Sequence, residues 1–199
     1  MKNEMDLRIQ KTRKNIQNAF ITLLKEKPLP DISVTDICRI ALCNRNTFYR
    51  YYANKEAVLE ELTEACVSEI VNGTRALVND VDLIKSSVIL SYVENIVNAA
   101  FRTKDLLSLL LQYGNQDLSL LLTDALYQIM MENTVMVAPE RAQDIKIRFY
   151  CRYMAGGIVS FIIYWTQNPQ ISKKDAIQLL QDFHSPVIQD FTEALKSEM

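Results

Sequence analysis

The stretch Ser33–Glu56, SVTDICRIALCNRNTFYRYYANKE, decides how the rest of the chain is read. Ser33, with Asp36 three residues on, is the start signal of a capped helix: the hydroxyl can take an orphan amide and the carboxylate can reach back to the Ser33 amide. Val34, Ile37, Ile40 and Ala41 then recur at three and four and make one apolar face. Asn44 is a second cap, after which Phe48 and Tyr52 stand i, i+4 toward an interior. Two short helices joined this tightly have helix-turn-helix spacing.

The outward side of the second helix carries the chemistry. At about 100° per residue, Arg45, Asn46, Tyr49 and Arg50 fall within an arc of roughly 140° opposite Phe48. Arg can pair with guanine O6 and N7, Asn with adenine N6 and N7, and Tyr can bond a phosphate while its ring packs on sugar or a thymine methyl. A solvated face of an ordinary small helix would look similar on this arc alone. Charge favours the first reading. Residues 1–56 hold 11 Lys and Arg against 6 Asp and Glu, a net of +5, whereas the other 143 residues hold 11 against 18, a net of −7, which together give the −2 of the chain. A basic head on an acidic body is the footprint of a protein that meets a polyanion at one end.

Val34-Thr35-Asp36-Ile37, Thr47-Phe48-Tyr49-Arg50-Tyr51-Tyr52 and Asn54-Lys55-Glu56 together resemble the DNA-binding domain of the TetR family of bacterial transcription regulators, over roughly residues 8 to 60. The resemblance implies that Thr35 contacts phosphate, that Arg45, Asn46 and Arg50 face bases or phosphates, that Thr47, Tyr49 and Tyr51 clamp the backbone, and that Lys55 neutralises a phosphate. One position departs from the pattern. The turn usually carries Gly where Leu42 stands here, and since Leu resists a left-handed backbone, the turn is expected to survive in an altered conformation.

At 199 residues and 49% hydrophobic composition, the chain can bury a substantial core beside a small head. The expected architecture is all-α, with a three-helix helix-turn-helix head over residues 1–54 and a larger helical body for effector binding and dimerisation over 55–199. The N-terminus is charged and lacks a signal-peptide core, and the apolar run Tyr153–Trp165 is too short to span a bilayer, so a cytoplasmic protein without membrane contact is expected. Cys38, Cys43, Cys66 and Cys151 lack Cys-x-x-Cys spacing and there is a single His, so no disulfide framework, metal or cofactor is expected. Neither a nucleophile motif nor a plausible carboxylate pair is apparent; Glu60-Glu61 looks like a solvated face, and no enzyme is expected.

Apolar periodicity predicts helices near 6–27, 55–72, 84–102, 105–113, 117–137, 140–168 and 173–197 in addition to the two of the motif, with a break at Asn72-Gly73 and a kink or split at Pro186. The run through Gly156 and Gly157 is apolar all round and must be covered, which favours a subunit interface. Candidate interface residues there are Gly156, Gly157 and Phe161, joined on the last helix by Leu180, Phe183, Val187 and Phe191; the resemblance implies that these two helices pair with their symmetry mates in a four-helix homodimer seam. The glycine-containing apolar helix ending in Trp165 also resembles the body type common in regulators from Firmicutes. Phe101, Tyr113, Tyr127 and Met130, with Met131, Phe149, Tyr153 and Trp165, could line a pocket for a small apolar or aromatic effector, although side chains at this spacing also make solid core. The expectation that results is a homodimeric repressor on a double-stranded, partly palindromic operator, released by an effector. The alternative is a DNA-binding regulator governed by a protein partner through its body.

Overall fold

The computed structural model describes residues 2–75, 86–113 and 117–196. It is all-α: eight helices occur among the described residues, and no strand does. They are α1 (Lys2–Glu26), α2 (Val34–Ala41), α3 (Arg45–Tyr51), α4 (Lys55–Arg75), α5 (Ser86–Tyr113), α6 (Leu118–Val137), α7 (Ile145–Gln167) and α8 (Lys173–Lys196). Single 3-10 turns at Leu29–Asp31 and Pro139–Arg141 precede α2 and α7. No helix among the described residues is long and apolar enough to cross a membrane.

Contacts divide the chain into two compact units, Met1–Ala65 with Leu109–Asn115, and Cys66–Ser108 with Gln116–Met199. The first unit is built on α1, whose Ile16, Phe20, Leu23 and Leu24 are buried, as are Ile37, Phe48 and Tyr52 of the same unit, while Ile9 is exposed. In the second, α6, α7 and α8 pack side by side over Leu122, Ile129, Cys151, Ile158, Leu180 and Ile188.

Three predicted punctuation marks are not breaks. Residues expected as two helices, 84–102 and 105–113, form the single helix α5, apart from 84 and 85, which lie outside the described residues. The polar step between them lies within the helix, where the Thr103 hydroxyl turns back onto the Ala99 and Ala100 carbonyls at 3.2 and 3.3 Å. Gly73 lies inside α4, where a Cβ would meet the Ala99 Cβ at 2.7 Å; the glycine permits close approach of α4 and α5 instead of ending a helix. Likewise α8 runs through Pro186 without splitting. Proline leaves the Asp182 carbonyl without its helical donor, and both residues are exposed, so water can take its place.

Candidate nucleic-acid interface

Each end of the helix-turn-helix is fastened by its own sequence. The Ser33 hydroxyl accepts from the Asp36 amide at 3.1 Å and Asp36 accepts from the Ser33 amide at 3.2 Å, a complete capping box. Lys27 donates to the same carboxylate at 2.9 Å, and with Ser33 it holds Asp36 well below the usual carboxylate range, at about 2. Asn44 caps α3 by accepting from the Thr47 amide at 2.7 Å.

The turn between them is where expectation and structure part. Leu42 adopts the left-handed conformation itself, with φ 53° and ψ 43°, and the Cys43 amide closes onto the Cys38 carbonyl at 3.0 Å, the six-residue closure of a Schellman motif. The geometry that glycine would adopt freely is therefore kept, not altered. Retaining it with a Cβ costs about 1–2 kcal/mol. The Leu42 side chain gains no burial in return, being 92% exposed.

Behind α3 lies a polar cluster with no local sequence signal. Arg13 of α1 pairs with Glu61 of α4 at 2.5 Å and stands over the Tyr52 ring at 5.9 Å, while Gln17 donates to the Tyr52 hydroxyl at 3.3 Å. Burial raises the Glu61 carboxyl, but the Arg13 guanidinium and the Tyr52 hydroxyl outweigh it and leave the group lowered. Burial, followed by Glu61, raises the Tyr52 phenol. Glu61 is thus not the solvated residue expected from its run; it helps fix the residue that ends α3 to α1 and α4. The partners stand 48 positions apart, and nothing in either segment announces the pair.

The fixed helix presents what it does not use. Thr35, Arg45, Asn46, Tyr49 and Arg50 are exposed, and Thr47 and Tyr51 are half-buried at the edges of α3. Arg45 donates to the Thr35 hydroxyl, joining the first turns of α2 and α3. The side chains of Asn46 and Arg50 are exposed and make no hydrogen bond to any described residue, so their donors are open to solvent. Lys55 behaves otherwise. Its ammonium donates to the Leu29, Pro30 and Ile32 carbonyls at 2.7, 3.1 and 2.9 Å, which uses all three of its hydrogens. It fastens the 3-10 turn that leads into α2, and contact with a phosphate would require surrendering those bonds.

No protein-family model matches the chain. The chain is 37% identical over 70 residues to the HTH-type transcriptional regulator YxbF of Bacillus subtilis, which is 35% of this chain and 18% of that protein. It is 38% identical over 61 residues to the dhaKLM operon activator DhaS of Lactococcus lactis, 31% of this chain and 33% of that one. These matches therefore span a third or less of the relatives' own length. Among solved structures, a TetR transcriptional regulator from Streptococcus agalactiae 2603V superposes over 96% of this chain and 99% of its own with a TM-score of 0.60 at 23% identity. The chain has the TetR-regulator fold. The fatty acid degradation regulator FadR from Bacillus halodurans agrees over 93% of this chain and 96% of its own, with a TM-score of 0.59 at 20% identity.

In this TetR-like body the expected pocket residues are not brought together. Phe101, Phe149 and Tyr153 are exposed, and Trp165 is buried structural core, donating to the Ile171 carbonyl at 3.0 Å with Phe101 stacked on it. Tyr127 takes a bond from Arg148 at 3.5 Å and lies under Arg152. Tyr113 falls in the first unit. A cavity of about 80 Å³ is lined by α5, α6, α7 and α8 and includes Met130 but not Met131 or any other of the eight. Aromatic side chains at helical spacing mark a buried face only when the phase of the helix is known, and on α7 Phe149 and Tyr153 belong to the exposed phase while Trp165 belongs to the buried one.

The candidate seam is sorted in the same way. Leu180 and Phe191 are buried within the chain, so they are core residues of α8 and not part of an outer surface. Gly157 faces His184, whose Nε2 would lie 3.1 Å from an added Cβ; the glycine serves the α7–α8 contact. Gly156 has nothing within 4 Å of a Cβ position, Phe161 and Val187 are half-buried, and Phe183 is exposed. The outer face of α7 is an apolar strip of Ile145, Phe149, Tyr153 and Tyr164, each more than 60% exposed.

Proposed function

We propose that the protein is a sequence-specific DNA-binding transcription regulator that acts as a homodimer, a repressor released from a partly palindromic operator by a small-molecule effector. The single observation that carries DNA binding is α3: a capped, core-anchored helix with Arg45, Asn46, Tyr49 and Arg50 on one exposed face of a basic head. Its phosphate contacts would come from Thr35, Thr47, Tyr49 and Tyr51, and its base contacts from Asn46 and Arg50, with Arg45 leaving Thr35 on docking. Lys55 is a positioning residue that holds the approach to α2. The similarity to regulators with helix-turn-helix heads supports the same reading.

Homodimerisation is supported by the exposed aromatic strip of α7 with Phe183 of α8, since a soluble chain rarely leaves such a face open. A dimer presents two recognition helices to successive major grooves roughly 34–36 Å apart, and so reads a two-fold site. Effector release is supported by the cavity within the body. A ligand preferring one spacing of the heads would change operator affinity about 5- to 150-fold for a coupling of about 1–3 kcal/mol. Selection from a random double-stranded DNA pool tests the proposal: a two-fold motif bound by full-length protein is the expected result, and no enrichment even in dilute salt would refute it. A promoter fusion carrying the selected motif reads the sign, repression being expected.

A further inference from the structure

The geometry points to a small, uncharged amphiphile as the ligand of the body cavity, a compact hydrocarbon with one hydrogen-bonding end placed at Tyr92 and Asn133. This rests on the reading of the body as an effector domain and adds the chemistry of the ligand. The cavity wall is apolar over nearly all of its surface: Val93 and Ile96 of α5, Leu126 and Ile129 of α6 and Ile158 of α7 are typical of it. No Lys, Arg, Asp or Glu is among the described residues that line it. A carboxylate or ammonium would therefore lose its water without meeting a counter-charge, which excludes charged ligands.

Its few polar groups are not equivalent. The Thr134 hydroxyl is spent on the Met130 carbonyl at 2.9 Å. His184 has Nδ1 3.0 Å from the Leu180 carbonyl, and burial lowers its pKa, so the ring is neutral at pH 7. Tyr92 differs. Its hydroxyl is buried without a hydrogen-bond partner of good geometry, although Asn133 stands near enough to oppose the rise that burial imposes on the phenol. A buried hydroxyl left unsatisfied is costly, and the residue that carries it is one of those lining the cavity. A ligand hydroxyl or carbonyl at that end would satisfy it, and the hydrocarbon would occupy the apolar remainder.

Size narrows the class further. At about 10–15 Å³ for each water-sized position, the 80 Å³ available holds about five to eight non-hydrogen atoms. Met130 and Met154 in the wall can shift to admit somewhat more.

Calorimetric titration of the full-length protein at pH 7 with hexan-1-ol and with hexanoate tests the inference, because the two differ only in their polar end. Hexan-1-ol is expected to bind, hexanoate at least tenfold more weakly, and Tyr92→Phe to weaken hexan-1-ol about tenfold. Ile158→Trp, which fills the space, should abolish binding while a thermal melt shows the fold retained. Equal or tighter binding of hexanoate, or no binding of hexan-1-ol to the unaltered protein, overturns the inference without need of any variant. Operator binding measured with saturating hexan-1-ol separates the two layers: binding that leaves operator affinity unmoved refutes effector release and leaves the ligand class standing.

Discussion

The outer faces of α3 and α7 are both strips of side chains that the chain does not cover, yet they are opposite in kind. On α3 the strip is cationic and amide-bearing, Arg45, Asn46, Tyr49 and Arg50; on α7 it is Ile145, Phe149, Tyr153 and Tyr164. Water solvates the first readily and the second poorly. The α3 strip therefore needs no occupant for solubility and gains from a polyanion, whereas the α7 strip gains simply by being removed from water. The supports differ too. Behind α3 lies a network of Arg13, Gln17, Tyr52 and Glu61, and behind α7 a core of aliphatic side chains with His184 set against Gly157.

The largest test strikes the apolar strip. Replacing Phe149 and Tyr153 together by Asp should weaken self-association by about 2–4 kcal/mol, some 30- to 1,000-fold, in sedimentation equilibrium. An unchanged association constant would remove α7 from the seam and break the contrast. Next comes the polar strip: Arg50→Ala should cost about 1–3 kcal/mol of operator affinity and relax preference at one base pair, while leaving self-association alone. Gel shifts against single-position operator variants would check it.

A third substitution sharpens the division between contact and support. Lys55→Ala should lower the unfolding free energy by about 1–2 kcal/mol in urea, since three carbonyls lose a charged donor, and should leave the salt slope of operator binding unchanged. A slope reduced by about one would return Lys55 to the phosphate. Leu42→Gly acts on the turn and should stabilise the protein by about 1 kcal/mol, raising its thermal midpoint. A lower midpoint would mean that the exposed side chain has a structural partner.

The smallest effect is in acid. Asp36 titrates near 2 in the folded state, below the usual carboxylate range, so its contribution to stability is complete above that range and is lost as the pH falls toward about 2. Asp36→Asn should flatten that part of the stability–pH curve and leave the neutral limb parallel to that of the parent.

Legibility followed the range of the interactions. The capping box at Ser33 and Asp36, the cap at Asn44 and the inward phase of Phe48 and Tyr52 act across three or four residues, and each is in the structure as the local pattern implies. Leu42 shows the limit even there: glycine's absence suggested another turn, but the bonds closing α2 impose the left-handed geometry on whichever residue is present. In the body, periodicity locates α6, α7 and α8 but does not set their rotational phase: the spacing alone is compatible with inward Phe149 and Tyr153, which are exposed, and with outward Leu180 and Phe191, which are buried.

By itself the sequence determined an all-helical chain, a capped helix-turn-helix and the polar face that its second helix shows, because those depend on spacing along one helix. Only the tertiary structure decided that Lys55 holds carbonyls, that Glu61 answers Arg13, and that the cavity belongs to Tyr92, Asn133 and His184. Those outcomes depend on which helix faces which, and that is set by packing among residues far apart in the chain.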